Sequence, residues 1–228
     1  MNIVSLLHKN KRVFIVPLDH PAGDDTLNLS KTGVQNFVNK IDNLDHDGYI
    51  FHSRYYPDKP VVTGKDFFLT VGETPDKYLC EINRFEKIKQ VKNLTIFYEV
   101  KNETDDSAYN YYRSYVRDLK KLGYFVMAMG FPPDAAVKCD YYQQIADIAK
   151  RLGCDAFKTD YHPGIDKLNI GVMKLFVGGG PYIKDESEFE KFAGKVAALK
   201  TASFSFGRNI FESDNPQNRI KLILNKLK

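Results

Sequence analysis

The chain has 228 residues, 43% of them hydrophobic and 27% charged, with a formal net charge of +4. These proportions are those of soluble globular proteins and exclude disordered, fibrous and membrane classes. The length suits one domain, residues 1–228, with a large core. The positive excess is spread along the chain without a clustered basic face, which argues against nucleic-acid partners and leaves a phosphorylated small molecule compatible. Cys80, Cys139 and Cys154 are odd in number, widely spaced and outside any CxxC. Neither a disulfide framework nor a zinc site is indicated, so the expectation is reduced cytoplasmic thiols, no metal and no cofactor. Residues 1–12 lack an apolar run of signal-peptide length, and no run approaches the roughly 18 residues a membrane helix needs.

In chain order, apolar runs rich in β-branched and aromatic residues predict strands at 13–18, 49–51, 67–71, 94–100, 125–129, 156–157, 175–177 and 203–206. Several are continuous rather than alternating, the pattern of parallel strands buried on both faces. After the first strand, 31–41 reads as a helix. After the second, 54–65 carries Pro57, Pro60 and Gly64, which leaves no room for a crossover helix and predicts a loop. Residues 83–92 are helical in composition but short, which leaves this side thin or covered by another subunit and makes a homo-oligomer the expectation. Residues 141–152 repeat Tyr141, Ile145, Ile148 and Leu152 at helical spacing. Residues 186–199 do the same through Phe189, Phe192, Val196 and Leu199, with Asp185 as N-cap. A last helix follows Asp214, with Pro216 in its first turn and Ile220, Ile223, Leu224 and Leu227 on one face. The alternation predicts an α/β fold, a single-domain (β/α)8 TIM barrel with an abbreviated or missing helix after strand two.

Barrel enzymes draw catalytic groups from the C-terminal ends of strands. Polar residues collect there: Asp19 and His20 after strand one, His52 after strand two, Tyr98, Glu99 and Lys101 in strand four, Lys158, Thr159 and Asp160 in strand six. Gly178, Gly179 and Gly180 follow strand seven, and Gly207, Arg208 and Asn209 follow strand eight. Lys158 follows Ala156 and Phe157 in an apolar strand, where an ammonium loses hydration and the neutral amine needed for carbonyl attack is favoured. A structural lysine paired with Asp19 or Asp160 fits its position equally well. The two glycine segments lie where barrels hold phosphate with backbone amides, and Arg208 adds a charged fork; tight turns are the alternative. Asp19 and His20 suit an acid–base pair or a loop cap. His8, His46 and His52 have no metal-like spacing and read as satisfied surface or core histidines, whereas His162 follows strand six closely enough to reach substrate. Tyr109, Tyr111, Tyr112 and Tyr115, among Arg113 and Arg117, fit packing or subunit contact better than base stacking.

Four segments resemble the archaeal-type class I fructose-bisphosphate aldolase family, which includes aminodeoxyheptulosonate synthase-like aldolases. Val16-Pro17-Leu18-Asp19-His20 is similar to its PMDHG, and Asp155 to Tyr161 to its Schiff-base D-x-x-K-T-x-Y. Val177 to Pro181 is similar to AGGP, and Gly207 to Phe211 to GRNIF. The resemblance implies that Lys158 forms a covalent imine, that Asp19 handles protons, and that Gly179, Gly180, Gly207 and Arg208 hold the phosphate of a ketose such as dihydroxyacetone phosphate. Strand five departs from it: the family ends this strand in YPRG, whose tyrosine moves the proton, and here Phe131-Pro132-Pro133-Asp134 stands instead. A phenyl ring cannot transfer a proton, a loss on the order of 10²- to 10⁴-fold unless another group serves. Tyr98, Tyr161, Glu99 and His20 are placed to do so. Pro21 also replaces a family glycine, and 54–72 has no counterpart.

The expectation is therefore a Schiff-base aldolase or transaldolase, an aldehyde-lyase with altered proton-transfer machinery, acting on a phosphorylated keto substrate in specialised biosynthesis. Two alternatives stand beside it. One is a phosphosugar isomerase or other enolising enzyme with Asp19 or Glu99 as base. The other is a noncatalytic phosphosugar-binding protein on the same barrel.

Overall fold

The computed structural model describes residues 2–19, 31–53, 61–71, 91–97, 106–130 and 139–227. Eight parallel strands close into a barrel in sequence order: β1 Phe14–Pro17, β2 Gly48–His52, β3 Asp66–Val71, β4 Asn93–Phe97, β5 Phe125–Met129, β6 Ala156–Asp160, β7 Lys174–Gly178 and β8 Ser203–Ser205. All eight expected strands are present, and the described residues between β2 and β3 contain no α-helix; Pro57 and Pro60 lie outside the described residues. β6 is longer than its apolar core suggests: Lys158 and Thr159 lie inside the strand rather than beyond it. The described helices are α1 Ile3–His8, α2 Lys31–Ile41, α3 Asp106–Lys121, α4 Cys139–Leu152, α5 Glu186–Ala197, α6 Arg208–Phe211 and α7 Pro216–Leu227. Contacts cluster into two compact units, residues 1–67 with 177–228, and residues 68–176.

In the unit 68–176, the ring of Phe68 meets Phe125 at 6.0 Å and Phe176 at 6.1 Å, both edge-on. These rings come from β3, β5 and β7, alternate strands that can touch only through the barrel interior, and they form one of its layers. The register then fixes which other side chains point inward. Above the row Phe68, Asn93 and Phe125 stands the row Thr70, Thr95, Met127 and Ala156, and above that Phe97, Met129 and Lys158. Thr70 and Thr95 share a hydroxyl hydrogen bond of 2.7 Å. On the outside, α4 buries Tyr142, Ile145, Ile148 and Leu152, and α3 buries Tyr112, Tyr115, Val116 and Leu119. The tyrosine cluster is mainly packing: the Tyr112 hydroxyl donates to the Phe97 carbonyl at 3.2 Å, and Arg151 lies over the Tyr109 ring.

In the other unit, α1 was not foreseen in the sequence. Asn2 caps it by accepting from the Ser5 amide at 3.2 Å, and Ile3, Leu6 and Leu7 bury one face. Six residues are too few for propensity to announce, and burial sustains them. The Arg12 guanidinium donates to the carbonyls of Ala197, Leu199 and Leu227, placing a cation where α5 and α7 end. Asp185 caps α5 as expected, accepting from the Glu188 amide at 2.8 Å. Phe206 packs against Phe189 and Phe192 of that helix.

His46 corrects the expectation of a satisfied histidine. It is buried edge-on against Tyr49 at 4.8 Å and near Phe14, and neither ring nitrogen has a hydrogen-bond partner among the described residues. Burial first, then the charge of Lys65, pushes its pKa down to about 3, so the ring is a neutral core group.

Candidate active site

Lys158 reaches the barrel interior because β6 alternates. Phe157 faces outward toward Gly130 and Ile145 of α4, so its successor must face inward. The lysine is buried, and its Nζ lies 3.6 Å from Met129 Sδ, beside it in register. The row beneath holds the mutually bonded Thr70 and Thr95. A buried amine in this inward row is placed where a barrel can present a nucleophile toward a carbonyl carbon. Three residues earlier, Asp155 has a different task. Its carboxylate accepts from the Val126 amide at 2.9 Å and pairs with Lys120, while its own amide donates to the Val126 carbonyl at 2.8 Å. Asp47 repeats the device on β1, exchanging bonds with both the amide and the carbonyl of Phe14. Burial raises the Asp47 pKa against the lowering effect of the Phe14 amide.

In the unit 1–67 with 177–228, Asp19 is buried just beyond β1, and His52 is buried at the end of β2. The glycines after β7 and β8 are required by close approach. A Cβ on Gly179 would stand 2.6 Å from the Phe206 ring and 2.9 Å from Asn209 Nδ2, and one on Gly207 would stand 2.8 Å from the rigid Pro17 carbonyl. Gly180 takes φ of +60°. Gly207 then serves as N-cap of α6, in which Arg208 is half-buried. This is the short helix that barrels place after strand eight. Asn209 ties it to the loop after β7, its Nδ2 donating to the carbonyls of Gly179 at 2.8 Å and Pro181 at 3.0 Å, and its Oδ1 accepting from the Ile183 amide at 2.8 Å. The two glycine segments therefore form one bonded assembly.

Of the other expected site residues, Tyr161 is half-buried directly after β6, and His162 packs at a tilt against Tyr142 with ring centroids 4.8 Å apart. That contact gives His162 a packing role. His20, Tyr98, Glu99 and Phe131 lie outside the described residues. Among the described residues no group of three His, Cys, Asp or Glu is gathered as for a metal, and no helix is long and apolar enough to cross a membrane. Cys154 is a buried free thiol whose pKa burial pushes up to about 12, which makes it unreactive. Sequence reasoning missed Arg219, fully buried beside Asn209. The available signal was its place next to Ile220 on the apolar face of α7.

No protein-family model matches the sequence, and no curated protein matches it. Solved structures do match the fold. A Schiff-base-forming fructose-1,6-bisphosphate aldolase superposes with a TM-score of 0.76 at 17% identity, covering 96% of each chain. An archaeal fructose 1,6-bisphosphate aldolase gives 0.74 at 18%, covering 96% of this chain and 94% of that one. Another archaeal one, with its catalytic Lys covalently bound to the carbinolamine intermediate of the substrate, gives 0.73 at 17%, covering 96% and 95%. The fold is thus the one that the sequence motifs imply, at 17–18% identity.

Proposed function

We propose that this protein is a divergent Schiff-base aldolase or transaldolase for a phosphorylated ketone, with Lys158 as nucleophile and the glycine assembly after β7 and β8 as phosphate cradle. The observation that carries the proposal is Lys158, buried in the inward row of β6 against Met129. The lysine and the cradle are assigned to one substrate because barrel enzymes draw their functional groups from the C-terminal ends of several strands. The Lys158 amine adds to the ketone carbonyl, and the carbinolamine loses water to give a protonated imine. That cation takes up the electron pair released when the adjacent carbon–carbon bond breaks or an α-proton leaves. Amides of Gly179, Gly180, Gly207 and Arg208, with the Arg208 side chain, hold the phosphate. Asp19 is assigned the proton transfers, with His20 and Tyr161 as the other candidates by strand-end position.

Sodium borohydride should trap dihydroxyacetone phosphate or another ketose phosphate on the Lys158 peptide, and a panel of such ketones giving no adduct contradicts the proposal. Phe131, in place of the family tyrosine, favours a second reading in which the same phosphate site serves enolisation without carbon–carbon chemistry. Turnover retained in Lys158→Ala and lost in Asp19→Ala would select it. Assembly as a homo-oligomer and residence in the cytoplasm belong to the same proposal; gel filtration of the purified chain tests the first.

A further inference from the structure

Arg219 is the largest fully buried side chain among the described residues, and it is a charged one. Placing a guanidinium in a protein interior is costly unless its donors are matched, and here they are matched by one neighbourhood. Nη1 donates to the Asn209 carbonyl at 3.0 Å. Nη2 donates to the Ile183 carbonyl at 2.8 Å and more weakly to that of Lys184 at 3.4 Å. Nε donates to Glu186 Oε1 at 2.8 Å, and Nη2 lies 2.7 Å from the same oxygen. The plane of the group is fixed between rings, its carbon 4.3 Å from the centroid of Phe189 and 5.1 Å from that of Tyr182.

What these partners share is the cradle. Asn209 sits in α6, a helix of four residues, which has no stability of its own and leaves carbonyls unclaimed at its end. Arg219 takes one of them. Ile183 and Lys184 belong to the loop after β7, whose other fastening is the Asn209 side chain. One buried fork therefore grips both glycine segments, and Glu186, its only carboxylate partner among the described residues, has a side chain 61% exposed. A merely structural arginine would serve as well in any helix of the barrel; this one reaches from α7 to the two segments that the proposed function assigns to phosphate.

We infer that Arg219 is a positioning residue for the phosphate cradle, holding the loop after β7 and α6 in the spacing a phosphate dianion requires. The inference rests on the phosphosugar reading above. It also states what lysine cannot do there: a single ammonium cannot span the Asn209 carbonyl, the Ile183 carbonyl and Glu186 at once, nor lie between two rings.

The test compares borohydride trapping of dihydroxyacetone phosphate with that of unphosphorylated dihydroxyacetone, in wild type and in Arg219→Lys, alongside calorimetric titration with inorganic phosphate. The wild type should prefer the phosphorylated ketone and bind phosphate. In Arg219→Lys that preference should fall about 10²-fold, the size of effect an ångström of misplacement produces, with phosphate binding lost and the dihydroxyacetone rate unchanged. A fold defect would instead lower both rates together. If Arg219→Lys does not fold, Glu186→Ala, at an exposed carboxylate, carries the same test with about a tenfold fall in preference. A preference kept at the wild-type level in the folded variant overturns the role of Arg219 and leaves the phosphosugar reading standing. A wild type that ignores the phosphate group overturns both.

Discussion

Asp155 and Lys158 belong to one short motif, yet their surroundings are opposite in kind. Asp155, just before β6, is held by the Val126 amide and Lys120 and returns a backbone bond to Val126. Lys158, in the inward row, lies beside the sulfur of Met129 and above a pair of threonines bonded to each other. The first is the environment of a group that holds strands in register, and Asp47 has the same one on β1. The second is the buried, inward position from which the proposed nucleophile would act. On the proposed reading, charge at the start of a strand serves the fold and charge facing the interior near its end serves chemistry, as barrel architecture separates them.

Replacing Lys158 should sharpen that contrast most. Lys158→Met is expected to abolish imine trapping and to lower turnover on the order of 10⁴-fold. The variant should still fold, since an unbranched side chain of similar reach fills the same buried place. A large loss of stability would make Lys158 structural after all. Asp155→Ala should do the reverse. Two hydrogen-bonded partners lose their acceptor, at a cost of about 2 kcal/mol, or roughly 4–8 °C in melting temperature, while trapping by the folded fraction is unaltered.

Acid should expose a third element of the fold. Folded His46 takes its proton only near pH 3, whereas its ordinary value is 6.5. Between those values the unfolded chain binds more protons, so stability is lost as pH falls through that window. At about 1.4 kcal/mol per unit the loss is about 2 kcal/mol at pH 5. Thermal melts of His46→Leu should lack this acid limb; an identical pH profile would refute the assignment. The smallest effect is expected at Asp47. Its pKa is raised by burial, so the ionised form costs stability as pH rises above the ordinary carboxylate value. Asp47→Asn keeps an acceptor for Phe14 without the charge and should stay within about 0.5 kcal/mol of wild type at neutral pH. A larger loss in melts would mean that the ionised carboxylate itself is needed.

The barrel was legible because continuous apolar runs, spaced by amphipathic stretches and punctuated by polar strand ends, have few other solutions. The two prolines after β2 agree with the absence of an α-helix among the described residues there. Lys158 and the glycine segments were legible as residues, but not the reach of β6 past Lys158, because a lysine, a threonine and an aspartate look like a loop when their neighbours across the sheet are unknown. α1 was hidden by its brevity. His46 and Arg219 were hidden for a shared reason: each is a polar residue whose burial is decided by rings and carbonyls far away in sequence. Beyond its place next to Ile220, nothing local distinguishes Arg219 from the lysines around it until Ile183, Lys184 and Asn209 are brought to it.

The central claim is that one buried lysine and one glycine cradle act on a single phosphorylated ketone. A crystal structure of the borohydride-reduced complex with dihydroxyacetone phosphate tests it most directly. The account predicts a bond from Lys158 Nζ to the former carbonyl carbon and the phosphate on the amides of Gly179, Gly180, Gly207 and Arg208. A ketone attached to another lysine, or a phosphate held away from those glycines, would contradict it.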